Sequence, residues 1–206
     1  MANIVKVRIA FKGTENDINA IYNAVASENN DFDFNKVIPC PAELAELDTY
    51  EKLVAVTDER AKELDSKYGY HNPYEWCEEH WGTKDNNRSE EVFGDTWTFE
   101  DECYLATSDG FPYPVLAELS KQFPNVEMDF IFADEDAGCN AGKGTFRNGE
   151  VVTGEYHLPD DSKEACEIFV ELNPEYDCSI EKNGDGTFYV EILDEDEEEW
   201  DEDEEE

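Results

Sequence analysis

The chain has 206 residues, 39% of them hydrophobic and 13% aromatic, which is enough to build a core and richer in aromatics than a disordered chain. Its 54 acids against 15 bases give a formal charge of −39, with the density rising toward the C-terminus. Like charges repel, so this balance argues against nucleic acid or an anionic membrane as a direct partner and favours a protein with a basic surface.

No apolar run approaches the length of a membrane span, and Met1 leads straight into a strand-like segment where a signal peptide would carry an apolar stretch. The six cysteines, at 40, 77, 103, 139, 166 and 178, form no CxxC pair and no zinc-site spacing. They read as reduced thiols of a cytoplasmic protein.

In chain order, Val5, Val7, Ile9 and Phe11 alternate with Lys6, Arg8 and Ala10 as in a half-buried strand. Thr14, with Asp17 three residues on, caps a helix whose inner face carries Ile18, Ile21, Tyr22 and Val25. Asp31 to Cys40 reads as extended, a short helix is expected over 42–47, and a longer one ends at Gly69. Asn72, Pro73 and Gly82 bound a helix over 73–81. Two strands follow, Val92 to Phe99 and Cys103 to Thr107, around the acidic turn 100–102.

A helix from Pro114 to Gln122 precedes an alternating strand from Val126 to Phe132. Asn148-Gly149 then marks a hairpin between 145–147 and 150–156. Ser162 to Leu172 has the spacing of an amphipathic helix, and a last hairpin turns at 183–186. We expect one domain over 1–193. Residues 194–206 contain twelve acids and Trp200, and they are expected to be a disordered acidic tail.

Three stretches carry a family resemblance: FNKVIPCPAEL at 34–44, the WCxxxWGTK pattern at 76–84, and FPYPVLAELSKQFPNVEMDFIFADE at 111–135 with its later FRNGE. Over about residues 34–152 the chain resembles the YubB-type ferredoxin-like proteins of plasmids and bacteriophages. Asp85 departs from it, standing where the pattern leads one to expect an aromatic, and the C-terminal third lies outside it. The resemblance implies an α+β ferredoxin-like sheet with helices packed mainly on one face and extra hairpins, and it implies no reaction. In such a sheet the first strand is interior. The scarcity of bases then predicts that it neighbours the strand at 126–133, with Lys6, Arg8, Glu127 and Asp129 together on the face away from the helices.

The stretch from His71 to Asn87 holds two of the four tryptophans and two of the three histidines. Its candidate ligand-binding residues are Trp76, His80, Trp81, Thr83, Lys84 and Asn86, a polar set beside an aromatic wall, although tryptophans on a short helix more commonly supply core. Asp134, Glu135 and Asp136 follow a strand end and are the weak candidates for holding Mg²⁺ or Ca²⁺, in a chain acidic enough to produce such a run by chance. The three histidines lack metal-site spacing, AGKG at 141–144 lacks the context of a phosphate loop, and no nucleophile–base pair or cofactor motif can be read.

Two functions follow as expectations. The first is a non-enzymatic interaction protein of a phage or mobile element that binds a host protein, in its sharpest form as a DNA mimic. The alternative is a small-molecule or metal-binding domain built on 71–87.

Overall fold

The computed structural model describes residues 2–99 and 101–193, so the expected tail at 194–206 lies outside the described residues. Strand β1 (Ile4–Lys12) turns Val5, Val7, Ile9 and Phe11 into the main core, as its alternation predicts. Helix α1 (Glu15–Val25) starts at Thr14, whose hydroxyl accepts from the Asp17 amide at 3.2 Å while the Asp17 carboxylate accepts from the Thr14 amide.

Four short or medium helices follow: α2 (Phe34–Val37), α3 (Ala42–Ala45), α4 (Tyr50–Val54) and α5 (Asp58–Tyr68). The first corrects the extended reading of 31–40. Asp33 accepts from the Asn35 amide at 2.9 Å, and this local cap turns one helical turn that buries Phe34 and Val37 together.

Helix α6 (Pro73–Trp81) has the predicted bounds, ending at Gly82 with φ 80°. Helix α7 (Ser89–Phe93) replaces the front half of the expected strand at 92–99, leaving β2 (Trp97–Phe99) to pair with β3 (Glu102–Ser108). Gly94, at φ 77°, ends α7 with a left-handed residue, a stop signal that the apolar pair Val92-Phe93 masked.

After α8 (Tyr113–Gln122) come β4 (Glu127–Asp134), β5 (Gly142–Arg147) and β6 (Glu150–Thr153), the last two joined by Asn148 and Gly149, both at positive φ. Helix α9 (Lys163–Leu172) and the hairpin β7 (Cys178–Lys182) with β8 (Phe188–Ile192) complete the described chain.

The six-stranded sheet has the order β2-β3-β1-β4-β5-β6, and each neighbouring pair is antiparallel. Strands β3 and β4 therefore run parallel with β1 between them, joined by α8 as a split β-α-β unit. The predicted adjacency of β1 and β4 is observed, with Arg8 opposite Ile131 and Lys12 opposite Glu127.

The expected helix-free face is not observed. Helix α9 lies on it, packing Ala165, Ile168, Phe169 and Leu172 against Ala133 and Ile131 of β4 and Tyr104 of β3. An amphipathic helix needs apolar surface, and this side of the sheet supplies it between its charges. Arg8 pairs with Glu171 on α9 at 2.8 Å, and Lys6 with Glu175 just beyond it at 2.7 Å. Glu127 and Asp129 pair instead with Arg147 and Lys12.

Candidate functional site

The turn after α6 is where the sequence placed a site, and the structure ties that turn into the fold. Trp76 and His80, four residues apart on one face, stack with ring centroids 4.2 Å apart and planes within 7°. His80 Nδ1 lies 2.9 Å from the Trp76 carbonyl oxygen, which can only accept, so this nitrogen donates. Trp81 is buried, donates from Nε1 to the Ile38 carbonyl at 2.9 Å, and meets Phe34 edge-on.

Thr83 is 1% exposed; its hydroxyl donates to the Ser108 carbonyl at 2.9 Å and accepts from the Ser108 amide at 3.1 Å. Asn86 accepts from the Phe34 and Asn87 amides and donates to Asp33. Lys84 pairs with Asp109 and lies 3.7 Å from Glu78. Each of the six residues singled out in sequence thus contributes packing or holds an internal partner, and the set joins α2, α6 and the end of β3.

Two cavities flank this turn. The smaller, about 190 Å³, is bordered by Trp81 and Lys84 from the predicted set, with Cys40, Cys77 and Asp85. Asp85 accepts from the Ser108 hydroxyl at 2.9 Å through Oδ2, whereas its buried Oδ1 has no hydrogen-bond partner. Burial pushes its pKa above the ordinary carboxylate value. The Cys77 thiol is pushed far up by its interaction with Cys40, by burial and by the nearby Asp85. It is not a thiolate at neutral pH.

The larger cavity, about 730 Å³, opens on the other side of Gly82 and is of the size that ordinarily holds a small organic ligand. Phe111, Tyr113, Tyr156 and His157 form its aromatic side, and Asp109, Asn140 and Glu150 its polar edge. Tyr113 and Tyr156 have centroids 4.8 Å apart at 59°, and Tyr156 and His157 4.2 Å apart at 55°. The successive tilts make a turned wall in place of a flat stack. Burial, with Tyr113 adding to it, raises the Tyr156 phenol, which keeps its proton at neutral pH.

Close backbone approach builds this wall. A Cβ on Gly142 would sit 1.9 Å from the Tyr156 carbonyl oxygen, and one on Gly110 would sit 2.1 Å from that of Gly82. The segment after β6 can therefore lie against β5, where the Lys143 amide donates to the Glu155 carbonyl at 3.1 Å. Sequence reasoning missed this cavity because its walls come from residues some forty positions apart. The aromatic pair Phe111 and Tyr113, flanking Pro112 at a strand–helix junction, was the one local signal.

Two of the carboxylates at 134–136 hold internal partners. Asp134 is buried and accepts from the Asn3 and Asn140 side-chain amides at 2.9 and 3.1 Å, and Asp136 shares the Asn3 donor. Among the described residues no group of three or more His, Cys, Asp or Glu side chains is placed to hold a metal ion. The six cysteines are free thiols, and no described helix is long and apolar enough to cross a membrane.

Strands β1, β2, β3 and β4, with β1 inside the split β-α-β unit and the main helices on one face, define an α+β protein with a ferredoxin-like domain. Residues 78–173, from within α6 to just past α9, match the family model described as "Ferredoxin-like domain in Api92-like protein". The sheet's interior strand β1 lies outside the matched segment. No curated protein and no solved structure matches the chain.

Proposed function

We propose that this chain is a non-enzymatic acidic interaction protein of a phage or other mobile element, acting in the host cytoplasm on a protein with a basic surface. In its sharpest form the reading is DNA mimicry, with surface carboxylates taking the role of phosphates. The observation behind this reading is the fate of the bases: twelve of the 15 Lys and Arg residues sit in ion pairs with carboxylates of the chain itself. These cationic side chains are thereby neutralised locally, and among the described residues more carboxylates than bases remain without an ion-pair partner.

The test is capture from host lysate at about 50 mM and about 200 mM salt, with duplex DNA as competitor, because phosphate-like contacts weaken steeply over that range. A retained protein released by both salt and DNA supports mimicry. Retention indifferent to both, or no retention at low salt, ends it.

A second reading, a small-molecule-binding domain, is favoured by the aromatic cavity beside the 71–87 stretch. It moves the site from the predicted side chains to the far side of Gly82. Thermal shifts with nucleotides, amines and divalent ions test it, since a ligand of the folded state raises apparent stability.

A further inference from the structure

The larger cavity restricts the charge of what it can hold. Its wall presents Tyr113 and Tyr156, and its edge presents the carboxylates of Asp109 and Glu150 and the amide of Asn140, with no Lys or Arg in the lining. Asp109 is partly neutralised by Lys84, while Glu150 makes no ion pair among the described residues. Ring faces attract cations, and a −39 chain raises their local concentration further, whereas phosphates and carboxylates are repelled.

Two features mark the edge as specially shaped. Asp109 and Asn140 both hold left-handed backbone, at φ 63° and 42°, and they are two of the four non-glycine residues described as doing so. In each case a side-chain bond supports the conformation's neighbourhood. Asp109 accepts from the Asn3 amide at 2.7 Å, and Asn140 donates to Asp134 at 3.1 Å.

We propose that this cavity binds a small organic cation, an alkylammonium or similar head group seated against Tyr113 and Tyr156 with Glu150 as its counter-charge. The proposal deepens the ligand-binding reading and is independent of the interaction reading. Binding involves no covalent step.

The experiment is titration calorimetry on the full chain with choline, its uncharged carbon isostere dimethylbutanol, and adenosine monophosphate. Choline is expected to bind, dimethylbutanol to bind at least about fivefold more weakly, and the nucleotide not to bind. Glu150→Gln, an exposed substitution that keeps the fold, should weaken choline several-fold and leave dimethylbutanol unchanged. Tyr156→Leu should weaken choline about fivefold, with the melting temperature read alongside.

Equal binding of the isostere overturns the cation assignment but leaves a ligand site standing. Choline binding that neither variant weakens is diffuse attraction to an acidic surface and overturns the proposal. Binding by none of the probes overturns the proposal and counts against the ligand-binding reading as well.

Discussion

Asp85, at the position where the sequence resemblance led us to expect an aromatic ring, places a half-buried carboxylate at a cost. Its Oδ1 has no partner, and burial raises its pKa; Glu91 and Asp109 add to the rise, while Ser108 and Arg88 oppose it. A carboxyl whose folded pKa is raised stabilises the fold below its unfolded value and loses that contribution as pH rises through the folded value. The fold is therefore less stable with Asp85 ionised than with it neutral. Asp85→Asn should raise the melting temperature at about pH 7 by a few degrees at most, with the gap closing toward about pH 4. Paired melts across that range check it, and a gap that persists in acid would mean the amide makes a new contact. At Gly110 the constraint is steric and has backbone on both sides. Gly110→Ala places a Cβ 2.1 Å from the Gly82 oxygen and should cost about 1–3 kcal/mol or more in denaturant unfolding, whereas Gly184→Ala, with nothing within 4 Å, should stay within about 0.5 kcal/mol.

At the scale of elements, α9 decides how the sheet's second face is used. Its charges and its apolar stripe both reach the sheet, and magnitudes separate them. Arg8 and Glu171 are side chains 29% and 50% exposed, the range in which a double-mutant cycle returns at most about 1 kcal/mol. Phe169 is 3% exposed within the second core, so Phe169→Ala should cost about 3–5 kcal/mol. If the cycle exceeds the truncation, α9 is held by its ions and the packing account fails. This same helix shows what a sequence conveys. Ser162 and the Ala165, Ile168, Phe169, Leu172 spacing made α9 visible, but periodicity names the inner face of a helix and not the surface it meets. Strand β1 was likewise visible, and the scarcity of bases pointed to β4 beside it, yet it could not reveal that Lys6 and Arg8 would find their acids on α9 and just beyond it. Short α2 and α7 were hidden because one helical turn leaves no period to read and depends on a local cap or stop, Asp33 or Gly94. Of the candidate site, the turn at Gly82 was legible from its capping residues. The cavity beyond it was not, because Tyr113 and Tyr156 meet only through the pairing of the segment after β6 with β5.

For the whole molecule, charge is the dominant property, and its effect on stability can be separated from its effect on binding. The last thirteen residues hold twelve of the 54 acids, and without them the remaining chain still carries −27. Self-repulsion at such charge opposes compaction, and it is screened over a Debye length of about 10 Å at 0.1 M salt. The melting temperature of the full chain should therefore rise as salt increases from about 10 mM to about 200 mM, contrary to the loss expected of a protein held by surface ion pairs. Removing residues 194–206 should leave the melting temperature at low salt unchanged or slightly raised, and should reduce its dependence on salt. The full and truncated chains melted by circular dichroism at matched concentrations provide the measurement. A drop of several degrees on truncation would mean that Trp200 contributes apolar contact that outweighs the repulsion of its twelve acidic neighbours. A melting temperature that falls with salt would mean that the ion pairs of Arg60, Lys67 and Glu43, where the lysine first and then the arginine hold the carboxyl down to about 2, stabilise the chain more than the uncompensated acids destabilise it.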